Sequence, residues 1–203
     1  MTIQQQIRKF NTVEIDAILS QLECPAELLT ELKTAASDLA ILQRLETEQL
    51  YSEAVKFLAH GLPKREAIWW AYLVSEAAEH HSTDPQTQEA LSTIEHWARE
   101  PNEARRRQAG SVGEALRYYT PSSWAAMAIL WSGGSITPEG RPPVEASPVM
   151  CAKAVSNAII IGAHQLHATP PDEAFKRFLR QGLHIAMGGN GKITEFSPKT
   201  SNE

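Results

Sequence analysis

Cysteine is almost missing from this 203-residue chain: Cys24 and Cys151 are the only two, with no CxxC spacing. Two isolated thiols read as small hydrophobes in a reducing compartment, which excludes a disulfide framework. Long apolar runs are missing too. The longest, Trp124 to Trp131, falls far short of the ~20 residues needed to cross a bilayer. Met1 to Asp16 carries polar residues throughout and has no apolar core of signal-peptide length. Charge of one sign is scarce: the net charge is -5 and the pI about 5.8, which argues against a nucleic acid or an anionic membrane as partner. No segment sustains the period-two alternation of a strand. The expectation is a cytoplasmic, all-α protein without membrane insertion.

Catalytic and metal-binding patterns are absent as well. His80 and His81 are adjacent, His164 and His167 lie on one helical face, and His184 follows on the next predicted helix. No third and fourth ligand stand at metal-site spacing, and there is no His-Glu-x-x-His pair, so no metal and no cofactor is expected. Ser132-Gly133-Gly134-Ser135 could present backbone N–H groups to an anion. It follows a buried helix rather than a strand, so Gly133 reads as a helix C-cap.

What the chain does have is 42% hydrophobic content, enough for one globular core, and proline at regular helix-start positions. Asp84-Pro85, Thr120-Pro121 and Thr169-Pro170 place a capping residue before a first-position proline. Glu27, Glu66 and Glu103 follow Pro25, Pro63 and Pro101 within the first turn, where a negative charge suits the helix dipole. These signals predict helices over about 12–22, 25–45, 47–60, 63–81, 85–98, 101–118, 121–132, 147–168 and 171–187. Short joints make antiparallel neighbours. The fold class is therefore a multi-helix bundle or a short α-solenoid-like array of about eight or nine helices. The even spacing of Pro25, Pro63 and Pro101 raises the solenoid, although the residues between them agree poorly in register.

The domain is expected to span 1–188, with 1–24 as a peripheral N-terminal segment and 189–203 as a disordered tail. Ile193, Thr194, Glu195 and Phe196 could form a short docking strip within that tail. Ile68 to Val74, Trp124 to Trp131 and Ala158 to Ala163 are apolar all round and should form the centre, with 25–45 and 171–187 outside. Gly133 to Pro148, with four prolines and three glycines, is too long for an ordinary connection. The run Arg105-Arg106-Arg107, interleaved with Glu100, Glu103 and Glu114, reads as a solvated face or an ion-pair network.

The corner Phe57 to Trp70 is the most distinctive stretch. Gly61 should stop one helix in the left-handed conformation, and Pro63 should open the next at its first position. Lys64 and Arg65 then oppose the dipole of that helix. Arg65 stands four residues before Trp69, within reach of a cation–π contact, and an acid elsewhere is expected to pair with it. The alternative is that the two cations receive an acidic partner. Trp69, Trp70, Trp97, Trp124 and Trp131, with Tyr118 and Tyr119, are expected in the core, although tryptophan also favours binding hot spots. Binding candidates are Lys64, Arg65, Trp69, Ser135 and Arg141; no catalytic residue is assigned.

Phe57-Leu58-Ala59-His60, then Leu62-Pro63-Lys64-Arg65-Glu66-Ala67, then Trp69-Trp70, resembles the signature of an uncharacterised bacterial family, a domain of unknown function. Trp124-Ala125-Ala126-Met127-Ala128, Trp131-Ser132-Gly133-Gly134-Ser135 and the closing Phe178-Leu179, Gly182-Leu183, Ile185-Ala186 and Gly188 fit it too. The similarity covers roughly 45–190. The resemblance implies a gene placed among the type VI secretion genes of Gram-negative bacteria and carries over no catalytic residue. It implies a non-enzymatic accessory or adaptor protein whose partner is a secretion spike, an effector or another accessory protein. A small enzyme with a site between central helices, using His60 with Glu66 or His164 with His167, is the alternative. A self-assembly module is a second. Oligomeric state is left open.

Overall fold

The computed structural model describes residues 7–10 and 15–193. Among them the chain is all-α, with ten helices and no strand: α1 (Ile15–Leu19), α2 (Ala26–Lys33), α3 (Asp38–Thr47), α4 (Tyr51–Gly61), α5 (Lys64–Glu79), α6 (Pro85–Arg99), α7 (Glu103–Ala115), α8 (Pro121–Leu130), α9 (Met150–Gln165) and α10 (Pro171–Ala186). The count exceeds expectation because the helix predicted over 25–45 is two. Ser37 breaks it: its backbone is extended, and its hydroxyl accepts from the Ala40 N–H as the N-cap of α3. Thr34 and Ala35 close α2 with i→i−3 bonds to Glu31 and Leu32.

α5, α8 and α9 pack on one another at the centre. Every residue of α8 except Trp124 is buried, and Ala125, Ala126, Ala128, Ala154, Ala158 and Ala163 are wholly so. Small side chains let the backbones close. A Cβ at Gly162 of α9 would stand 2.5 Å from Val74 Cγ1 of α5, and one at Gly182 of α10 2.6 Å from Trp70 Cε2. Trp70 is buried, and its Nε1 donates to the Phe178 carbonyl at 2.9 Å, which ties α5 to α10. The remaining helices surround this centre. α10 turns Phe175, Phe178, Leu179 and Ile185 inward and its charges outward. Burying four such side chains contributes about 1.5–3 kcal/mol each before entropy is counted.

The helix starts follow their caps. Asp84 and Thr120 cap α6 and α8 with Pro85 and Pro121 in the first position, and Thr120 and Ser123 form a reciprocal capping box. Pro25, Pro63 and Pro170 sit one place earlier, at the N-cap itself, in an extended backbone. The evenly spaced prolines do not mark a repeat: three helices lie between Pro25 and Pro63, but two between Pro63 and Pro101.

Described residues of the N-terminal segment reach the core. Ile7, Ile18, Leu19 and Leu22 are buried, and Phe10 meets Phe57 with ring centroids 5.0 Å apart. Gly189 to Ile193 continue past α10 onto α5 rather than leaving the domain: the Asn190 carbonyl accepts from Trp69 Nε1, and Gly191 is buried against Leu73 and Ile185. Thr194, Glu195, Phe196 and the remaining tail lie outside the described residues. No helix among the described residues is long and apolar enough to cross a membrane.

Candidate functional site

The corner between α4 and α5 is built by space, not by a left-handed glycine. Gly61 is the last residue of α4, and a Cβ there would overlap the ring of Phe10. Leu62 and Pro63 are both extended (ψ 146° and 142°), so the chain turns in two residues and α5 starts at Lys64.

Lys64 and Arg65 resolve their conflict with the α5 dipole at the opposite ends of other helices. Lys64 Nζ donates to the Ser132 carbonyl, just beyond α8, at 2.7 Å. Arg65 donates from Nε to the Ala98 carbonyl at 2.7 Å and from Nη2 to the Arg99 carbonyl at 2.9 Å, closing the C-terminus of α6. The last carbonyls of a helix lack intrahelical partners and attract cations, so each contact satisfies two needs. The expected acidic partner of Arg65 is thus replaced by two carbonyls. Among the described residues the cation–π contact that forms is Lys176 over Tyr51, not Arg65 over Trp69. Trp69 instead stacks on Tyr72 with centroids 5.0 Å apart.

Two clefts flank this corner. The larger, about 720 Å³, lies between residues 8–10, α1, the end of α4, the start of α5 and the start of α9. Arg8, Lys9, His60, Lys64 and Glu66 supply its polar lining, and Phe10, Ile18, Leu62 and Val149 much of its apolar lining. The smaller, about 480 Å³, is lined by Lys9, Arg65, Glu66, Trp69, Arg99, Asn190 and Lys192 among others. Lys9 and Glu66 line both, and they pair at 3.0 Å. Burial, with Lys153 and Lys56 nearby, lowers the His60 imidazole to about 4, so it is neutral at pH 7. Cys151, also on the larger cleft, is pushed up to about 12 by burial and is not a nucleophile at neutral pH.

His60 and Glu66 line the same cleft, with Glu66 engaged by Lys9. His164 packs edge-on against Phe175, and His167 lies beyond the end of α9. Among the described residues no group of three His, Cys, Asp or Glu side chains could hold a metal ion.

Of the binding candidates, Lys64, Arg65 and Trp69 come together here. Ser135 and Arg141 do not. The Ser135 hydroxyl accepts from the Thr137 and Val144 N–H groups and pairs with the Thr137 hydroxyl, holding the 133–148 loop in a narrow hairpin. Arg141 is exposed in a turn closed by its N–H on the Pro138 carbonyl. The arginine run clamps that hairpin. Arg106, buried, donates to the carbonyls of Leu130 and Ser135 and pairs with Glu103, while Arg107 bridges Glu103 and the Thr137 carbonyl. The loop turns at Gly134 (φ 63°), one residue after the expected Gly133. Trp70 and Trp97 are buried as expected. Trp69, Trp124 and Trp131 are half-buried, and Tyr118 and Tyr119 are exposed rather than in the core, beside the reversal at Arg117 and Tyr118 (φ 54° and 62°).

Arg8, Lys9 and Lys192 were missed in the sequence because they stand far from the corner in the chain. No local pattern brings them to α5. A family model described as "Family of unknown function (DUF6931)" matches residues 41–186. No curated protein and no solved structure matches.

Proposed function

We propose that this chain, which belongs to the DUF6931 family of unknown function, is a non-enzymatic accessory or adaptor protein that binds another protein at the α4–α5 corner. One observation carries the reading: the two clefts concentrate basic charge on an acidic molecule. Among the described residues they hold six of the chain's 19 lysines and arginines and one of its 24 acids. A patch opposite in sign to the net charge favours a complementary protein and raises its rate of encounter. The resemblance of the corner to the signature of an uncharacterised bacterial family supports the setting proposed with it: type VI secretion, in the cytoplasm, with a spike protein, an effector or another accessory protein as partner.

The test is affinity capture of the tagged full chain from its native bacterium, with mass spectrometry of what co-purifies. Enrichment of secretion components supports the proposal. Enrichment of small-molecule metabolic enzymes, or no enrichment over a tag-only control, overturns it.

A further inference from the structure

We propose that the two clefts form one binding groove for an extended acidic segment of the partner, laid across the Lys9–Glu66 ion pair. This rests on the protein-binding reading above and names the kind of element that is bound. Each cleft alone has the volume of a small-molecule site. They adjoin, however, because Lys9 and Glu66 wall both. The cations are also divided between the clefts: Arg8 and Lys64 line only the larger, Arg65, Arg99 and Lys192 only the smaller, and Lys9 both. A compact anion seated in one cleft leaves the cations of the other unmet, whereas an extended chain with several carboxylates meets both sets.

The join shows what it accepts. Glu66 already places a carboxylate on Lys9 at 3.0 Å, in the position that a ligand carboxylate would take over. Arg8, on the larger cleft alone, and Lys192, on the smaller alone, are exposed, and neither side chain makes an ion pair among the described residues. Apolar surface lies between the charges, from Phe10, Ile18 and Leu62 in one cleft and Trp69 in the other. An acidic segment carrying occasional apolar residues fits that alternation. Lys64 and Arg65 are held by helix-end carbonyls and Arg99 pairs with Glu95 at 2.7 Å, so Arg8 and Lys192 offer the cleaner handle.

The experiment titrates the full chain into a fluorescein-labelled peptide of about ten residues, alternating glutamate and serine, followed by anisotropy at low salt. The control peptide has glutamine for glutamate. Saturable binding of the acidic peptide alone is expected, weakened about tenfold or more in the Arg8→Glu, Lys192→Glu double variant. An unchanged unfolding midpoint shows that this variant keeps its fold. Equal binding of both peptides, no binding of either, or unchanged affinity in the double variant overturns the proposal. Full displacement by inorganic phosphate at equal concentration assigns the site to small anions and also overturns it. Tighter binding of a single-stranded oligonucleotide does the same. The two readings fail separately. A partner captured equally by wild type and double variant keeps the adaptor and removes the groove. Peptide binding without any captured partner removes the adaptor.

Discussion

Glu103 holds two arginines on one carboxylate, and its contacts with Arg106 and Arg107 draw it down to about 2. Its folded value lies below the ordinary 4.5, so its stabilising effect is complete above that pH and is lost as pH falls toward 2. His60 acts in a neighbouring window. The unfolded imidazole takes its proton near 6.5 and the folded one near 4, so the unfolded chain binds more protons between them. Stability therefore falls as pH drops from 6.5 to 4, because burial, with Lys153 and Lys56 nearby, opposes the charged ring. Urea unfolding midpoints measured against pH should show both slopes. His60→Gln flattens the upper window and Glu103→Gln the lower. Single residues were the least legible scale. Gly61 could be recognised as special in the sequence, but its reason is the Phe10 ring, which reaches it from residues far away in the chain.

At the scale of the element, the Asp84 and Thr120 caps were legible, whereas Thr169 is not the cap it resembles and the breaks were less plain. Thr120 before Pro121 reads as a cap and does cap α8, while the reciprocal bond from Thr120 N–H to the Ser123 hydroxyl is added by the structure. Thr120→Ala should cost about 1 kcal/mol in denaturant-determined stability, since one orphan N–H of α8 loses its acceptor. The burial of Glu79 sets a second anchor there: its carboxylate accepts from both the N–H and the hydroxyl of Ser122. Nothing local announced that contact. The break between α2 and α3 was hidden by Ala35 and Ala36, good helix formers that propensity alone would keep helical. Only Ser37 followed by Asp38, a cap and a first-turn acid, marks the new start.

For the molecule as a whole, the apolar helices predicted the central layer, because a helix without a polar face has nowhere else to go. The N-terminal residues escaped that logic, since their few apolar side chains show no period long enough to declare a core role. Ile7, Ile18, Leu19 and Leu22 nonetheless enter the core. A chain trimmed to begin at Pro25 loses that burial, about 1.5–3 kcal/mol for each side chain, against a total stability of about 5–15 kcal/mol. It is expected to lose near-ultraviolet circular dichroism and cooperative unfolding, although it retains all of the family-matched residues 41–186. Native-like unfolding of the trimmed chain would refute this. The groove is equally a property of the whole, since its basic lining comes from four separate regions of the chain.

The carbonyl end of α8 is held from two directions, by Arg106 on Leu130 and by Lys64 on Ser132. Arg106 also grips the hairpin at Ser135, so the corner and the loop share a single anchorage. An occupant that draws Lys64 toward its own carboxylates slackens that mooring from one side. Amide exchange at Gly133 to Thr137 should then quicken when the acidic peptide is bound. The remote hairpin would act as a reporter that broadcasts occupancy of the groove to whatever touches its exposed tip.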